Sequence, residues 1–438
     1  MAEMVNRRLE DPPLITGRGR YLDDMSPPGC LHAGFVRSLY AHATVGTIEA
    51  GAARAIDGVV GVYTGTDIGL DRQMPNMHPD PSREPGVQGY PLAPEEACYV
   101  GEPVAVVVAE DPYVLADALS EVFVDHEPLP ATIDLARALD PDAAPVHSGS
   151  ETNLATTLRG SYGDVDAVFA SAPHTAPIDL YQHRGAVASM ETRGVLADFT
   201  DEPTMWSSTQ SPHGLQNLVS EYLGVRDLRV VTPDVGGGFG PKGSVYPEEY
   251  VVPALARTLG RPVKWVESRR EHFLTTNQQR DQIHRLEVAF DDSGVLLGLR
   301  GRVIHDNGAY VPYGYLLPLT GLRLLPGPYV LPAMDLTIDV VYTNLVPTSP
   351  IRGAARPNAV FAIERAVDAI ARGVGLTQAE VRHRNYAPAE VGYEVSLPSR
   401  TGAPIRYDGG DYRRTLDLAL EVADSSGFAQ RRTETEKR

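Results

Sequence analysis

The chain has 438 residues, with 57 acidic and 39 basic side chains and a formal net charge of −18, which argues against a general nucleic-acid binder and against an anionic membrane surface as partner. No apolar run reaches the ~18 residues of a membrane span, and the N-terminus MAEMVNRRLEDPP lacks the apolar core of a secretory signal, so a cytoplasmic location is expected. Cys30 and Cys98 are the only cysteines, which leaves a disulfide framework, a structural zinc site and a cysteine-ligated iron–sulfur cluster unsupported.

A first α/β domain is expected over residues 16–127. Leu31–Val36 reads as a strand, and the continuous apolar run Val104–Ala109 reads as a strand buried on both faces. Asp111-Pro112 then opens a helix, Asp as N-cap and Pro at the first helical position, with Leu115, Ala118, Leu119 and Val122 as its buried stripe. Residues 69–96, rich in Pro, Asp and Met, read as a long loop. Residues 128–152 are Pro-rich without periodicity and are expected to be a linker.

A second domain is expected over 153–390. Met205-Trp206 and Leu228–Val231 look like strands. Leu286, Val288 and Phe290 alternate with polar residues, Asp291–Gly294 turns, and Val295, Leu297 and Leu299 alternate again, the pattern of a hairpin. A helix from about Asn358 buries Ile363, Val367, Ile370 and Val374 and stops at Gly375, and Thr377–Glu380 is a capping box for the next helix. Residues 391–438 hold a Pro/Gly-rich connector, a short amphipathic helix through Leu416, Ala419, Leu420 and Ala423, and a charged tail from Gln430; one such helix cannot form a core alone.

The sharpest local feature is Gly236-Gly237-Gly238-Phe239-Gly240 after an apolar strand. Glycines there let main-chain N–H groups converge on a ligand, or simply make a flexible loop. Neither a phosphate loop nor a dinucleotide fingerprint is present, because Pro241 stands where the latter needs glycine. Gln210 in Ser208-Thr209-Gln210 could donate an amide hydrogen bond to an oxo or carbonyl oxygen, or be an ordinary turn residue. Arg352, at a strand–helix junction, could hold developing negative charge, cap carbonyls or pair with an acid. His183-Arg184 and Met190–Gly194 read as a structural ion-pair cluster. The twelve histidines show no H-E-x-x-H, and no G-x-S-x-G elbow or reactive-cysteine context supports hydrolase chemistry.

Taken in order, several strings resemble the molybdopterin-binding large subunit of the molybdenum hydroxylases, in the carbon monoxide dehydrogenase-like branch of the xanthine dehydrogenase/aldehyde oxidase family. They are Thr16–Asp24, Phe35–Ser38 with Ala41-His42-Ala43, Val100–Ala105, Ser208–Gln210, Pro233–Lys242, Gly260–Trp265 and Arg352–Ala354, and the series runs from about residue 16 to 425. The resemblance implies an α/β hammerhead domain followed by a first molybdopterin-binding domain of mixed α/β class, and oxidation of an electron-poor carbon, in an N-heterocycle such as nicotinate or in an aldehyde, with water as oxygen source.

It further implies that Gln210 lies near the metal's oxo ligand, that Gly237, Gly238, Phe239 and Gly240 contact the cofactor through the main chain, and that Arg352 stabilises charge on the substrate. The metal is then held by the pterin dithiolene, with no protein ligand. The cofactor would be molybdenum–molybdopterin, in its cytosine dinucleotide form, with iron–sulfur clusters and FAD on partner subunits. Family members are nearly twice this length, and their second half carries the catalytic glutamate. A split subunit is therefore expected, completed by a second molybdopterin-binding chain at residues 391–438, as in some nicotinate-hydroxylating relatives. Three departures narrow the expectation. The loop after Arg352 is Gly353-Ala354-Ala355, without the cysteine of carbon monoxide-oxidising members; Gly243 stands where xanthine-oxidising relatives have a substrate-binding Glu; and Thr192 replaces the family's proline. A non-catalytic scaffold or degenerate cofactor-binding module is the alternative.

Overall fold

The protein is described from a computed structural model covering residues 8–389, 393–395, 397 and 403–437. The expected domain end at Glu390, the first seven residues and Arg438 lie outside the described residues. No helix among them is long and apolar enough to cross a membrane.

A seven-stranded mixed sheet runs in the spatial order Arg229–Val231, Thr204–Ser207, Gly194–Asp198, Val263–Val266, Leu31–Arg37, Pro103–Ala109, Val59–Tyr63. All seven residues of Pro103–Ala109 are buried, as its unbroken apolar run requires. On one face Val107 meets the Pro112–Ser120 helix through Ala118, Leu115 and Leu119. That helix is capped by the Asp111 carboxylate, which accepts from the N–H groups of Tyr113 and Val114. On the other face Val106 and Val108 pack with Leu215, Val219 and Val251 from the helices Pro212–Leu223 and Glu248–Leu259.

A second, five-stranded sheet has the order Leu154–Tyr162, Ala333–Val341, Leu296–Asp306, Gln282–Phe290, His174–Gln182. The Arg356–Val374 helix lays Ile363, Val367 and Ile370 on it, against Leu286, Val288 and Phe290. Gly375, at φ +69°, ends this helix, and Thr377 and Glu380 cap the Gln378–Asn385 helix reciprocally. A small sheet of Ala43–Glu49, Glu96–Ala97 and Phe123–Pro128 completes the N-terminal part.

Four sequence expectations need correction. Residues 128–152 are not a free linker: Leu135 and Ala138, around a short 3₁₀ turn, bury against Ile304 and Val341. The hairpin slips: a bulge between Ala289 and Phe290 sets Phe290 opposite Leu296, so Leu296 and Leu299 are buried while Val295 and Leu297 are half-buried. The C-terminal segment forms two helices, Tyr412–Val422 and Phe428–Glu436, neither with a buried residue, so the expected charged tail is helical. Its anchor is polar: the Arg413 guanidinium donates to the carbonyls of His383 and Tyr386. The seven-stranded sheet also crosses the expected domain border, since Leu31 pairs with Val263 in parallel.

Candidate active site: a glycine cradle

The edge of the seven-stranded sheet builds the site. Thr204–Ser207 ends in Ser208-Thr209-Gln210, and the Pro212–Leu223 helix begins just beyond. The Gln210 N–H and the Thr209 hydroxyl both donate to the Lys242 carbonyl, at 2.8 and 3.1 Å. This fixes the Gln210 turn against the segment that follows the glycine loop.

The loop is pinned at both ends. Gly236 N–H donates to Glu191 Oε2 at 2.8 Å and its carbonyl accepts from Glu191 N–H at 3.0 Å. At the other end, Gly240 N–H donates to Gln210 Oε1 at 2.8 Å. That bond settles which way the carboxamide points: its oxygen is engaged, so its NH₂ is left as a donor on the exposed side. Between the pins, the N–H groups of Gly237, Gly238 and Phe239 have no acceptor among the described residues.

Side chains are excluded here for steric reasons. A Cβ at Gly238 would collide with Gln210 Oε1, one at Gly236 with Glu191, and one at Gly240 with the Pro350 carbonyl. Phe239 is held left-handed, at φ +55°, with its ring 44% exposed, a backbone state that L-residues adopt only under constraint. Part of that constraint comes from the facing loop, where Arg352 N–H donates to the Phe239 carbonyl at 2.8 Å. That loop is strained as well, with Ala354 at φ +49°. The Arg352 carbonyl accepts from Arg280 at 3.0 Å. Its guanidinium is exposed and makes no ion pair or hydrogen bond among the described residues, so it neither caps a carbonyl nor pairs with an acid. Gln210, Gly240 and Pro350 open onto a cleft of about 450 Å³, whose other wall carries Met77 and Tyr313.

The structure thus brings Gln210, Gly237, Gly238, Phe239, Gly240 and Arg352 to one place. One detail differs from expectation: the Gly240 N–H is committed to Gln210 and is not available to a ligand.

Glu191 and Lys242, which no sequence motif marks as site residues, hold the loop. Buried Lys242 donates to Glu191 Oε2 at 2.9 Å. Burial lowers the Lys242 pKa, and Glu191 resists that shift. Nothing local in the sequence links residues 51 positions apart. Behind them lies Arg193, from the Met190–Gly194 stretch that reads as a structural ion-pair cluster. Arg193 binds Glu267 at 2.6 Å and Glu248 at 2.9 Å, and stacks 3.8 Å over Tyr246. Arg37 joins Glu248 to Glu271. Burial opposes ionisation of Glu267, but Arg193 and a hydrogen bond from His272 hold its pKa well below the ordinary range. Next to it, Glu249 accepts from Ser207 Oγ and Tyr246 N–H, yet burial pushes its pKa up to about 7. The His183-Arg184 part of the reading is also structural, with Arg184 bridging Asp281 and Asp306.

Residues 146–386 match the family described as "Molybdopterin cofactor-binding domain", and residues 16–130 match "Aldehyde oxidase and xanthine dehydrogenase, a/b hammerhead domain". The chain is 34% identical to the nicotine 6-hydroxylase large subunit of Paenarthrobacter nicotinovorans, over 98% of its own length and 53% of that protein's. Among solved structures, quinoline 2-oxidoreductase from Pseudomonas putida 86 superposes with a TM-score of 0.90 at 32% identity, covering 98% of this chain and 55% of that one. The chain therefore spans about half the length of the first of these curated relatives. The large molybdopterin subunit of nicotinate dehydrogenase from Eubacterium barkeri is different: at 27% identity it is matched over 93% of both chains.

Proposed function

The chain belongs to the xanthine dehydrogenase and aldehyde oxidase family of molybdenum enzymes, and on that premise we propose that it is one half of the cofactor cradle of a heteromeric molybdenum hydroxylase. The observation that carries the reading is the row of main-chain N–H groups at Gly237, Gly238 and Phe239, left without acceptors among the described residues by a loop pinned at both ends. Such donors fit the oxygen-rich molybdopterin, and the bare glycines fit its close approach. Bound here, the cofactor would supply two-electron redox chemistry at its metal.

This chain's residues bind and orient. Gln210 would present its NH₂ to an oxygen of the bound cofactor, and Gly240 holds the carboxamide from turning over. Arg352, whose N–H holds the Phe239 carbonyl, would offer its exposed guanidinium to negative charge building on the substrate. The catalytic base lies on a second chain that carries the remaining molybdopterin-binding half, a division supported by the end-to-end match to the nicotinate dehydrogenase subunit. Iron–sulfur and FAD subunits carry the electrons onward, and the pterin is the cytosine dinucleotide. The substrate is an N-heterocycle such as nicotinate, or an aldehyde. Carbon monoxide is disfavoured, because Gly353-Ala354-Ala355 offers no cysteine.

The test is purification of the complex from its native host. Molybdenum and pterin nucleotide should co-purify with this chain and a second large subunit, and the complex should hydroxylate nicotinate or an aldehyde. A chain recovered without molybdenum and without such a partner contradicts the reading and leaves the non-catalytic scaffold.

A further inference from the structure

His42, Glu96 and Cys98 meet where the small N-terminal sheet begins. Ala43 pairs with Ala97 and Thr44 with Glu96, so the antiparallel register sets His42 opposite Cys98. One potential donor atom from each of the three lies within 4.8 Å of the others. His42 and Cys98 are buried, 3% and 1% exposed.

The imidazole is in an unusual position. Its Nδ1 lies 2.7 Å from the Pro130 carbonyl and its Nε2 lies 2.7 Å from Glu96 Oε1. Both neighbours are acceptors, so Nδ1 carries a proton, and a second proton or another cation must stand between Nε2 and the carboxylate. An Nδ1–H bonded to a carbonyl is the support that orients metal-binding imidazoles. Glu96 is oriented in turn by the N–H and hydroxyl of Ser148.

A cavity of about 760 Å³ reaches Glu96 and Cys98, and His147 also lines it. His147 Nε2 faces the Ala309 carbonyl at 2.8 Å and so carries the proton. Its Nδ1 is buried and has no partner among the described residues. It is an unused acceptor beside the cluster, suited to a water that fills a fourth position.

We propose that His42 Nε2, Glu96 and Cys98 Sγ form a three-ligand site for one divalent transition-metal ion of the zinc type, with its fourth position open to this cavity. The donor set is mixed nitrogen, oxygen and sulfur, which selects a borderline ion over magnesium or calcium. Tetrahedral bond lengths place such ligands about 3.3–3.6 Å apart, so small side-chain adjustments complete the geometry. The exchange balances: the ion displaces one proton from the imidazolium and one from the thiol to solvent, nothing is oxidised or reduced, and the charge of the buried cluster is unchanged. No short sequence motif contains the set, because its ligands are joined by strand pairing and not by spacing.

Cobalt(II) is the probe. Titrated into the full chain, it should bind once per chain, give a thiolate-to-cobalt charge-transfer band in the near ultraviolet, and be displaced by zinc(II). Cys98→Ser should abolish the band, and His42→Gln and Glu96→Gln should each weaken binding by at least about tenfold. Cys30→Ser, outside the cluster, should keep both band and affinity. Zinc should also raise the unfolding temperature of the wild-type chain and not that of Glu96→Gln, which reports on the site if Cys98→Ser fails to fold. Absence of saturable binding, or a band that survives Cys98→Ser, overturns the proposal and leaves His42–Glu96 as a simple ion pair.

Discussion

In the glycine loop, three consecutive main-chain N–H groups have no acceptor among the described residues. A short way behind, each nitrogen of the Arg193 guanidinium group is engaged, by Glu267, Glu248, Thr275 or Thr276. Glu191, two residues before Arg193 in the chain, receives both the Lys242 ammonium and the Gly236 N–H. The contrast separates two uses of polarity. The buried cluster satisfies its charges internally and acts as a rigid floor. The loop keeps its donors unsatisfied, which is stable only because the floor and the Gln210 and Arg352 contacts hold its shape.

The contrast breaks most visibly if the floor is cut. Arg193→Met leaves Glu248 and Glu267 buried without their shared cation. It should cost about 3–5 kcal/mol in denaturant unfolding, the typical penalty for orphaning a buried charge. A loss under about 1 kcal/mol would mean that the cluster does not act as a unit.

Gly240→Ala attacks the joint between loop and neighbour. The new Cβ meets the Pro350 carbonyl, at a residue whose φ is +115°. Unfolding should show a loss of about 2–4 kcal/mol, and the assembled complex should lose cofactor.

The floor also has a pH signature. Burial raises the Glu249 pKa to about 7 from its ordinary 4.5. Between those values the native state keeps a proton that the unfolded chain releases, so this residue makes stability fall as pH rises through that window and level off above it. Glu267, whose pKa is lowered, acts in the opposite sense, its contribution disappearing only as pH falls below the carboxylate range. Glu249→Gln should flatten the fall in unfolding free energy between pH 5 and 8, a change on the order of 2 kcal/mol.

Gln210→Ala should do least to the fold and most to function. The side chain is exposed and holds one loop N–H, so stability should change by less than about 1 kcal/mol. Turnover of the complex should slow by ~10–1000-fold, as for loss of one transition-state donor. Unchanged turnover removes Gln210 from the site.

The two regions also differ in how far the sequence reveals them. The glycine loop is legible because its information is local: four glycines in five positions after a strand have few structural uses. Gln210 and Arg352 are ambiguous as residues and stand out only through the family resemblance. The floor is opaque, because Arg37, Arg193, Glu248, Glu267 and Glu271 come from distant segments and meet only when the seven-stranded sheet forms. The same non-local pairing hides the shared sheet, where Leu31 meets Val263. Elsewhere, helices with strong punctuation, such as Arg356–Val374 before Gly375, are read correctly. The hairpin's register is missed because a single extra residue, Leu297, opposite the Ala289–Phe290 step leaves no mark in the hydrophobic pattern. The packed 128–152 segment is missed because its apolar anchors, Leu135, Ala138 and Val146, are too sparse to show a period.

Residue-resolved hydrogen exchange on the assembled complex, with cofactor and after its removal, addresses the cradle most directly. The amides of Gly237, Gly238 and Phe239 should gain protection when the cofactor is present, while Gly240, already bonded to Gln210, should change little. Equal exchange of all four amides in the two states would contradict this.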